Sequence, residues 1–299
     1  MPITSLNDKK CLITGAASGI GKATAIAAAR EGASLFLTDI DTSLLEQSVS
    51  EIQQQGGRVA MARALDVADF KAVQAFAQSI HQDFGSLDVV MNVAGISIWG
   101  TIENLSHDHW RRVVEIDLMG PIHIMESFIP PMIEAGRGGH LVNVSSAAGL
   151  FGLPWHAAYS AAKFGLRGVS EVLRFDLARH GIGVSLVCPG GVNTGLVKTV
   201  EVVGIEPDNE EFLAFKAHFM KRAVTPEKAA AAILKGLKAN RYLVFTSFDI
   251  QLMHWFQCKL SAPYRWIMKK LNDRMQEISA PLDRELKQEP RAAEMRNDT

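Results

Sequence analysis

Cysteine is scarce, with three in 299 residues, and Cys11, Cys188 and Cys258 show neither CxxC spacing nor a neighbouring His/Asp group. That excludes a disulfide scaffold and gives no metal-ligating cluster. With Cys11 and Cys188 inside apolar runs, it predicts inert core thiols in a reducing compartment. An excess of one charge is also missing. The 31 Lys/Arg balance 32 Asp/Glu for a net charge of −1, so there is no concentrated basic footprint for nucleic acid. No uninterrupted apolar run reaches the roughly 18 residues of a membrane span. No apolar stretch of signal-peptide length precedes the first strand-like run, so a cytoplasmic protein is expected. Internal repeats, low-complexity tracts and Pro/Gly/Ser linkers are absent too, which predicts one domain large enough to bury its core without disulfides.

What is present is an alternation. Short runs rich in Val, Ile and Leu at 10–15, 34–39, 59–66, 87–95, 140–146, 184–189 and 242–246 read as strands. Helical stretches at 20–30, 44–55, 70–84, 107–133, 156–179 and 226–239 lie between them. Strands that are apolar on both faces, separated by helices, predict a parallel sheet covered on both sides and doubly wound through right-handed crossovers.

Thr14–Gly21 reads TGAASGIG and sits between the first strand and the first helix. There, backbone N–H groups and the helix dipole favour a pyrophosphate. The candidate contacts are Gly15, Ser18, Gly19, Ile20 and Gly21, although the glycine spacing differs from G-x-G-x-x-G. Asp39, about twenty residues on, ends the second strand where a carboxylate can accept hydrogen bonds from an adenosine ribose and would repel a ribose phosphate. NAD is therefore favoured over NADP. Lys22 and Arg63 keep NADP open. A helix N-cap is the competing reading for Asp39, with Asp41 or Thr42 able to fill that role instead. Asp66 and Val67 end the third strand and are candidates for adenine contact, with a cap again the rival reading and Asp69 the competing cap. Asn92, Ala94 and Gly95, in NVAG, close the fourth strand with small residues that let backbone approach a ligand.

Tyr159 and Lys163 lie four apart in YSAAK and share a helix face. A lysine ammonium and an oxidised nicotinamide would stabilise the phenolate, so the tyrosine pKa is expected to fall toward a useful acid/base range. Spacing alone is weak, because such pairs are common on amphipathic helices. Upstream, HLVNVSSAAG (140–149) ends a strand in hydroxyls at the same sheet edge. Ser146 can bond the reacting oxygen there, with Ser145 as rival. Downstream, CPGGVNT (188–194) forms a turn whose backbone and Thr194 hydroxyl can grip a carboxamide.

Taken in order, TGAASGIG, NVAG, VSS, YSAAK and PGGVNT resemble the short-chain dehydrogenase/reductase family over about residues 10–246. The resemblance implies a Rossmann-type fold with a seven-stranded parallel sheet and an NAD(P)-dependent oxidoreductase acting on CH–OH groups. It further implies Ser146 as the substrate-orienting hydroxyl, Tyr159 as proton donor, and Lys163 on the nicotinamide ribose. Pro189, Gly190, Val192 and Thr194 would lie around the nicotinamide, and assembly into a homodimer or homotetramer would run through the helices holding Asp117 and Tyr159. Two departures stand out. NVAG replaces the usual NNAG, and Asp117 stands where the family has an asparagine that completes the catalytic group. Asp117 is kept as a candidate for the proton relay, against an aspartate satisfied locally in its helix.

The reacting carbon is expected among Ser97, Trp99, Leu153, Trp155 and Leu196, with Val197 beside them. This mainly apolar and aromatic set predicts a hydrophobic alcohol or ketone as substrate. Residues 193–222 form a long connection that reads as a helical lid over a catalytic domain spanning 1–248. Residues 249–299 read as a helical extension with a charged tail. In it, Tyr264, Ile267, Met268, Leu271, Met275 and Ile278 recur at helical spacing. That amphipathic segment can cover the pocket, pack against another subunit, or touch a membrane surface. The expected activity is NAD-linked interconversion of a hydrophobic secondary alcohol and its ketone. The alternatives are an NADPH-dependent biosynthetic reductase and, on account of Asp117, a nucleotide-sensing protein without catalysis.

Overall fold

A computed structural model describes residues 3–195, 200–206, 208–221, 223–260 and 262–279. The chain opens β1 (Lys10–Thr14), α1 (Gly19–Arg30), β2 (Ser34–Asp39), α2 (Thr42–Gln54), β3 (Arg58–Ala64), α3 (Phe70–Phe84) and β4 (Val89–Asn92). After the short β5 (Ile98–Trp99) come α4 (His107–Val114), a π-helical turn (Glu115–Met119) and α5 (Gly120–Ala135). Then follow β6 (Gly139–Val144), α6 (Ala157–Asp176), β7 (Ile182–Cys188), β8 (Glu201–Val202), α7 (Glu210–Met220), α8 (Pro226–Lys238) and β9 (Leu243–Phe245). Two helices close the described chain, α9 (Phe248–Lys259) and α10 over 262–279.

The seven long strands form one parallel sheet in the order β3-β2-β1-β4-β6-β7-β9. Period-two alternation explains why both faces are apolar. Ile13, Leu35 and Val142 point to the side covered by α1, α2 and α8, whereas Leu12, Phe36 and Leu141 point to the side covered by α3, α5 and α6. Strand order reverses between β1 and β4, so the crevice at their carboxyl ends is where this architecture places ligands.

The helix caps settle two rivalries left open above. Asp41 caps α2 by accepting from the Leu44 N–H at 2.9 Å, and Asp69 caps α3 through the Ala72 N–H at 3.1 Å. Asp39 and Asp66 are thereby free of that duty. Cys11 and Cys188 are buried, which pushes both thiols up, Cys188 to about 12. Among the described residues no helix is long and apolar enough to cross a membrane.

Three features differ from the expectation. The long helix expected over 107–133 is interrupted by the π-helical turn around Asp117, a distortion that hydrophobic periodicity does not report. A two-stranded β5-β8 sheet, too short for alternation to show, ties the chain after β4 to the 193–222 connection. Its Glu201 is held by His109 and Arg112, each at 3.2 Å. Finally, among the described residues none of α7 lines the crevice. Its Phe212 packs with Trp155, Ile205, Met275 and Ile278.

Candidate active site

The glycine loop bends because its geometry leaves no room for side chains. Gly15 has φ +68°, and a Cβ there would lie 2.8 Å from the Ala94 backbone. One on Gly21 would run into the Gly15 carbonyl. Ser18 precedes α1 in an extended conformation and makes no side-chain cap, so that helix N-terminus can meet an anion with its own N–H groups. Thr14 Oγ1 accepts from the Val93 and Ala94 N–H groups, both at 3.0 Å, and so fastens NVAG to the loop. Gly15→Ala should therefore destabilise the fold by about 2 kcal/mol, from a left-handed backbone and a close contact. A melt is expected to show a Tm lower by about 5 °C, together with weaker NAD binding by calorimetry.

The loop opens onto a cavity of about 240 Å³ whose walls include Ser18, Gly19, Ile20, Asp39, Asp66 and Val67. Asp39 accepts from the Ala17 N–H at 2.9 Å and the Asp41 N–H at 3.1 Å, which places its carboxylate on the rim. Asp66 accepts from the Ala68 N–H at 2.9 Å. A second cavity, of about 470 Å³, shares Ile20, Val93, Gly95, Ile96 and Thr194 with the first. The two form one groove. Asn92 does not line it. Its amide donates to Asn143 at 2.8 Å, inside a buried network beneath the strand ends.

At the far end of the groove lie Ser146, Tyr159, Lys163, Pro189, Gly190 and Val192. Ser146 and Ser145 follow β6 with different tasks. Ser145 is buried and donates to the Lys163 carbonyl at 3.0 Å, while Ser146 accepts from the Ala148 N–H at 3.1 Å and hydrogen-bonds Tyr159. Of the two, Ser146 is the hydroxyl beside the phenol. The first turns of α6 project Tyr159 and Lys163 from one face, with the ammonium 5.6 Å from the ring centroid. Lys163 Nζ donates to the Val144 carbonyl at 3.2 Å and lies 3.7 Å from Asp117 Oδ2.

Asp117 is fully buried, and its other oxygen accepts from the Ile96 N–H at 2.8 Å. The π-helical turn is what aims it inward, as such turns often do at functional sites. A Cβ on Gly95 would come within 2.9 Å of Asp117 and 3.4 Å of Lys163, so that glycine is required by the ion pair. Burial raises the Asp117 pKa, against the opposing pull of Lys163 and the Ile96 N–H. The fall expected for Tyr159 is for a phenol beside a bound oxidised nicotinamide; the protein alone sets a different balance. Burial, and then the Asp117 charge, push the phenol above the ordinary range, with only the Ser146 hydrogen bond pulling it down. The main reason is that the phenol is buried, and the carboxylate beside Lys163 adds to it.

Ser97, Trp99 and Leu153 line the second cavity, as do Phe151 and His156, which sequence reasoning passed over. Trp155 does not. It is 6% exposed and packs against Ile205, Phe212, Met275 and Ile278. Leu196 and Val197 lie outside the described residues. The roof comes from Ile250 and Met253 of α9 and from Ile267, Met268 and Leu271 of α10. The middle of the α10 stripe thus faces the cavity while Met275 and Ile278 pack on Trp155 and Phe212, and its periodicity was the signal available for it. Nothing in the sequence marked His156.

The family profile described as short chain dehydrogenase matches residues 9–202. The chain is 37% identical over 251 residues to a Mycobacterium tuberculosis protein named "Putative oxidoreductase SadH", covering 83% of this chain and 89% of that one. It is 32% identical to galactitol 2-dehydrogenase of Agrobacterium fabrum, covering 87% and 93% respectively. Among solved structures, a short chain dehydrogenase/reductase from Burkholderia phymatum in complex with NAD superposes with a TM-score of 0.76 at 28% identity, over 86% of this chain and 95% of that one.

Proposed function

Since this chain belongs to the short-chain dehydrogenase family of oxidoreductases, we propose that it interconverts a hydrophobic secondary alcohol and its ketone with NAD(H), using Tyr159 as general acid and base. One observation carries this reading. The groove that begins at the glycine loop and Asp39 ends at Ser146, Tyr159 and Lys163 beneath an apolar roof.

The residues present fit a dinucleotide. Gly15 and Gly21 leave a cradle that any Cβ would fill, and the uncapped start of α1 suits a pyrophosphate. Asp39 suits the unphosphorylated adenosine ribose. Bound nicotinamide supplies the hydride acceptor in one direction and the donor in the other. Ser146 and Tyr159 hold the substrate oxygen. Tyr159 takes the alcohol proton as the carbon gives up its hydrogen as hydride, and returns that proton in the reverse direction. Lys163, held by Val144 and Asp117, would hold the ribose hydroxyls of a bound dinucleotide and stabilise a phenolate. Asp117 fixes Lys163 and, through the Ile96 N–H, the strand end beside the cavity. The exposed stripe Phe164, Val172 and Phe175 along α6 supports assembly with a second copy.

The test is a cofactor-resolved screen running from short to bulky hydrophobic alcohols and ketones. Turnover should rise with apolar bulk and favour NAD. Asp39→Asn keeps an acceptor for the Ala17 N–H while removing the charge, and should lower the NAD-to-NADP ratio of kcat/KM by about tenfold. Equal or better wild-type turnover with NADPH would defeat the NAD assignment.

A further inference from the structure

His156 stands immediately before α6, three residues ahead of Tyr159, on the wall of the larger cavity. Its Nδ1 lies 2.7 Å from the Pro154 carbonyl. A carbonyl only accepts, so Nδ1 carries the proton and Nε2 presents a lone pair. Among the described residues Nε2 has no hydrogen-bond partner. Burial holds the imidazole pKa down at about 4, so the ring is neutral.

The ring is fixed from several sides. Trp99 lies over it at a tilt of 37°, 4.4 Å between centroids, and is itself anchored by donating to Ser97 Oγ at 2.7 Å. The Tyr159 ring meets it edge-on at 6.2 Å. Behind it, Trp155 adopts φ +66°, an uncommon conformation for a bulky residue. Buried contacts of the indole hold it there, as does the Gly100 N–H donating to the Trp155 carbonyl at 2.8 Å. A backbone held against its preference, a defined tautomer and two ring contacts thus hold one imidazole acceptor on the cavity wall, beneath an apolar roof and next to the reacting phenol.

We propose that His156 sets substrate specificity: its Nε2 accepts a hydrogen bond from a second hydroxyl that the substrate carries a few bonds from the reacting carbon. The substrate class is then apolar diols and hydroxyketones rather than simple alcohols. This rests on the dehydrogenase reading above. A hydroxyl fits better than a carboxylate, because a neutral acceptor repels an anion's lone pairs. It also fits better than an ammonium, which would be costly to desolvate among Ile250, Met253, Ile267, Met268 and Leu271, since Asp249, which also lines the cavity, is exposed to solvent. A site built to receive a hydroxyl discriminates strongly against an analogue lacking it, since an apolar substrate that fills the cavity shuts water away from the acceptor and leaves it without a partner.

The experiment compares NAD-linked oxidation of 1-cyclohexylethanol, 1-cyclohexyl-1,2-ethanediol, 1-cyclohexyl-1,3-propanediol and the terminal methyl ethers of the two diols. The ethers keep the second oxygen and lack its proton. Wild type should oxidise one diol with kcat/KM at least about tenfold above its ether, the difference residing mainly in KM. His156→Phe keeps a ring against Trp99 and should bring that diol-to-ether ratio to about one. His156→Gln retains an acceptor and should preserve part of the ratio, which also serves if the Phe variant fails to fold. Equal oxidation of diols and ethers by wild type, or an undiminished ratio in His156→Phe, overturns the proposal alone. No NAD-linked turnover of any member overturns the dehydrogenase reading with it.

Discussion

Tyr159→Phe is expected to lower kcat/KM by about 10²–10⁴-fold, the range that a positioned general acid/base contributes. The loss should be confined to chemistry. The ring is 9% exposed and packs with Ile98, Val113, Ala148 and Ala162, contacts that phenylalanine reproduces. Only the hydroxyl and its hydrogen bond to Ser146 disappear. Melting temperature and NAD affinity should therefore stay close to wild type while kcat collapses. Undiminished kcat in this variant would show that the proton travels by another route.

Asp117 carries the second large effect, and two substitutions separate its roles. Asp117→Ala removes both the acceptor for the Ile96 N–H and the partner of a lysine side chain only 4% exposed. Breaking one side of a buried ion pair typically costs about 3–5 kcal/mol, so a marked fall in melting temperature is expected. Asp117→Asn keeps an oxygen for Ile96 and removes only the charge. Because that charge is one of the causes holding the Tyr159 phenol high, its removal lowers the phenol pKa. The deprotonated tyrosine needed for alcohol oxidation is then reached at lower pH. The rising limb of the kcat/KM profile for oxidation should accordingly move toward acid, with a smaller stability loss than in the alanine variant because the Ile96 N–H keeps its acceptor. A limb that stays in place would assign Asp117 a purely structural part.

The fold was legible because the strands are apolar on both faces and the helices between them are long enough for a period of 3.6 to show. Boundaries slipped where periodicity carries no information. The π-helical turn at Glu115–Met119 keeps the composition of a helix while rotating Asp117 inward. β5 and β8 are two residues each, too short for alternation. The glycine loop, Ser146, Tyr159 and Lys163 could be named in advance because sequence neighbours place them at one sheet edge. The cavity roof could not, since Ile250 and Leu271 reach the site only through the docking of α9 and α10 across the sheet end. Trp155 shows the converse. Adjacent in sequence to a cavity residue, it turns the other way on a positive φ.

The most direct measurement is reduced-nicotinamide formation from NAD by wild type and Tyr159→Phe side by side, across bulky hydrophobic secondary alcohols. The account predicts NAD-dependent turnover in the wild type that falls at least about a hundredfold in the variant, with NAD binding retained. Turnover that is absent in the wild type, or equal in the two proteins, would contradict it.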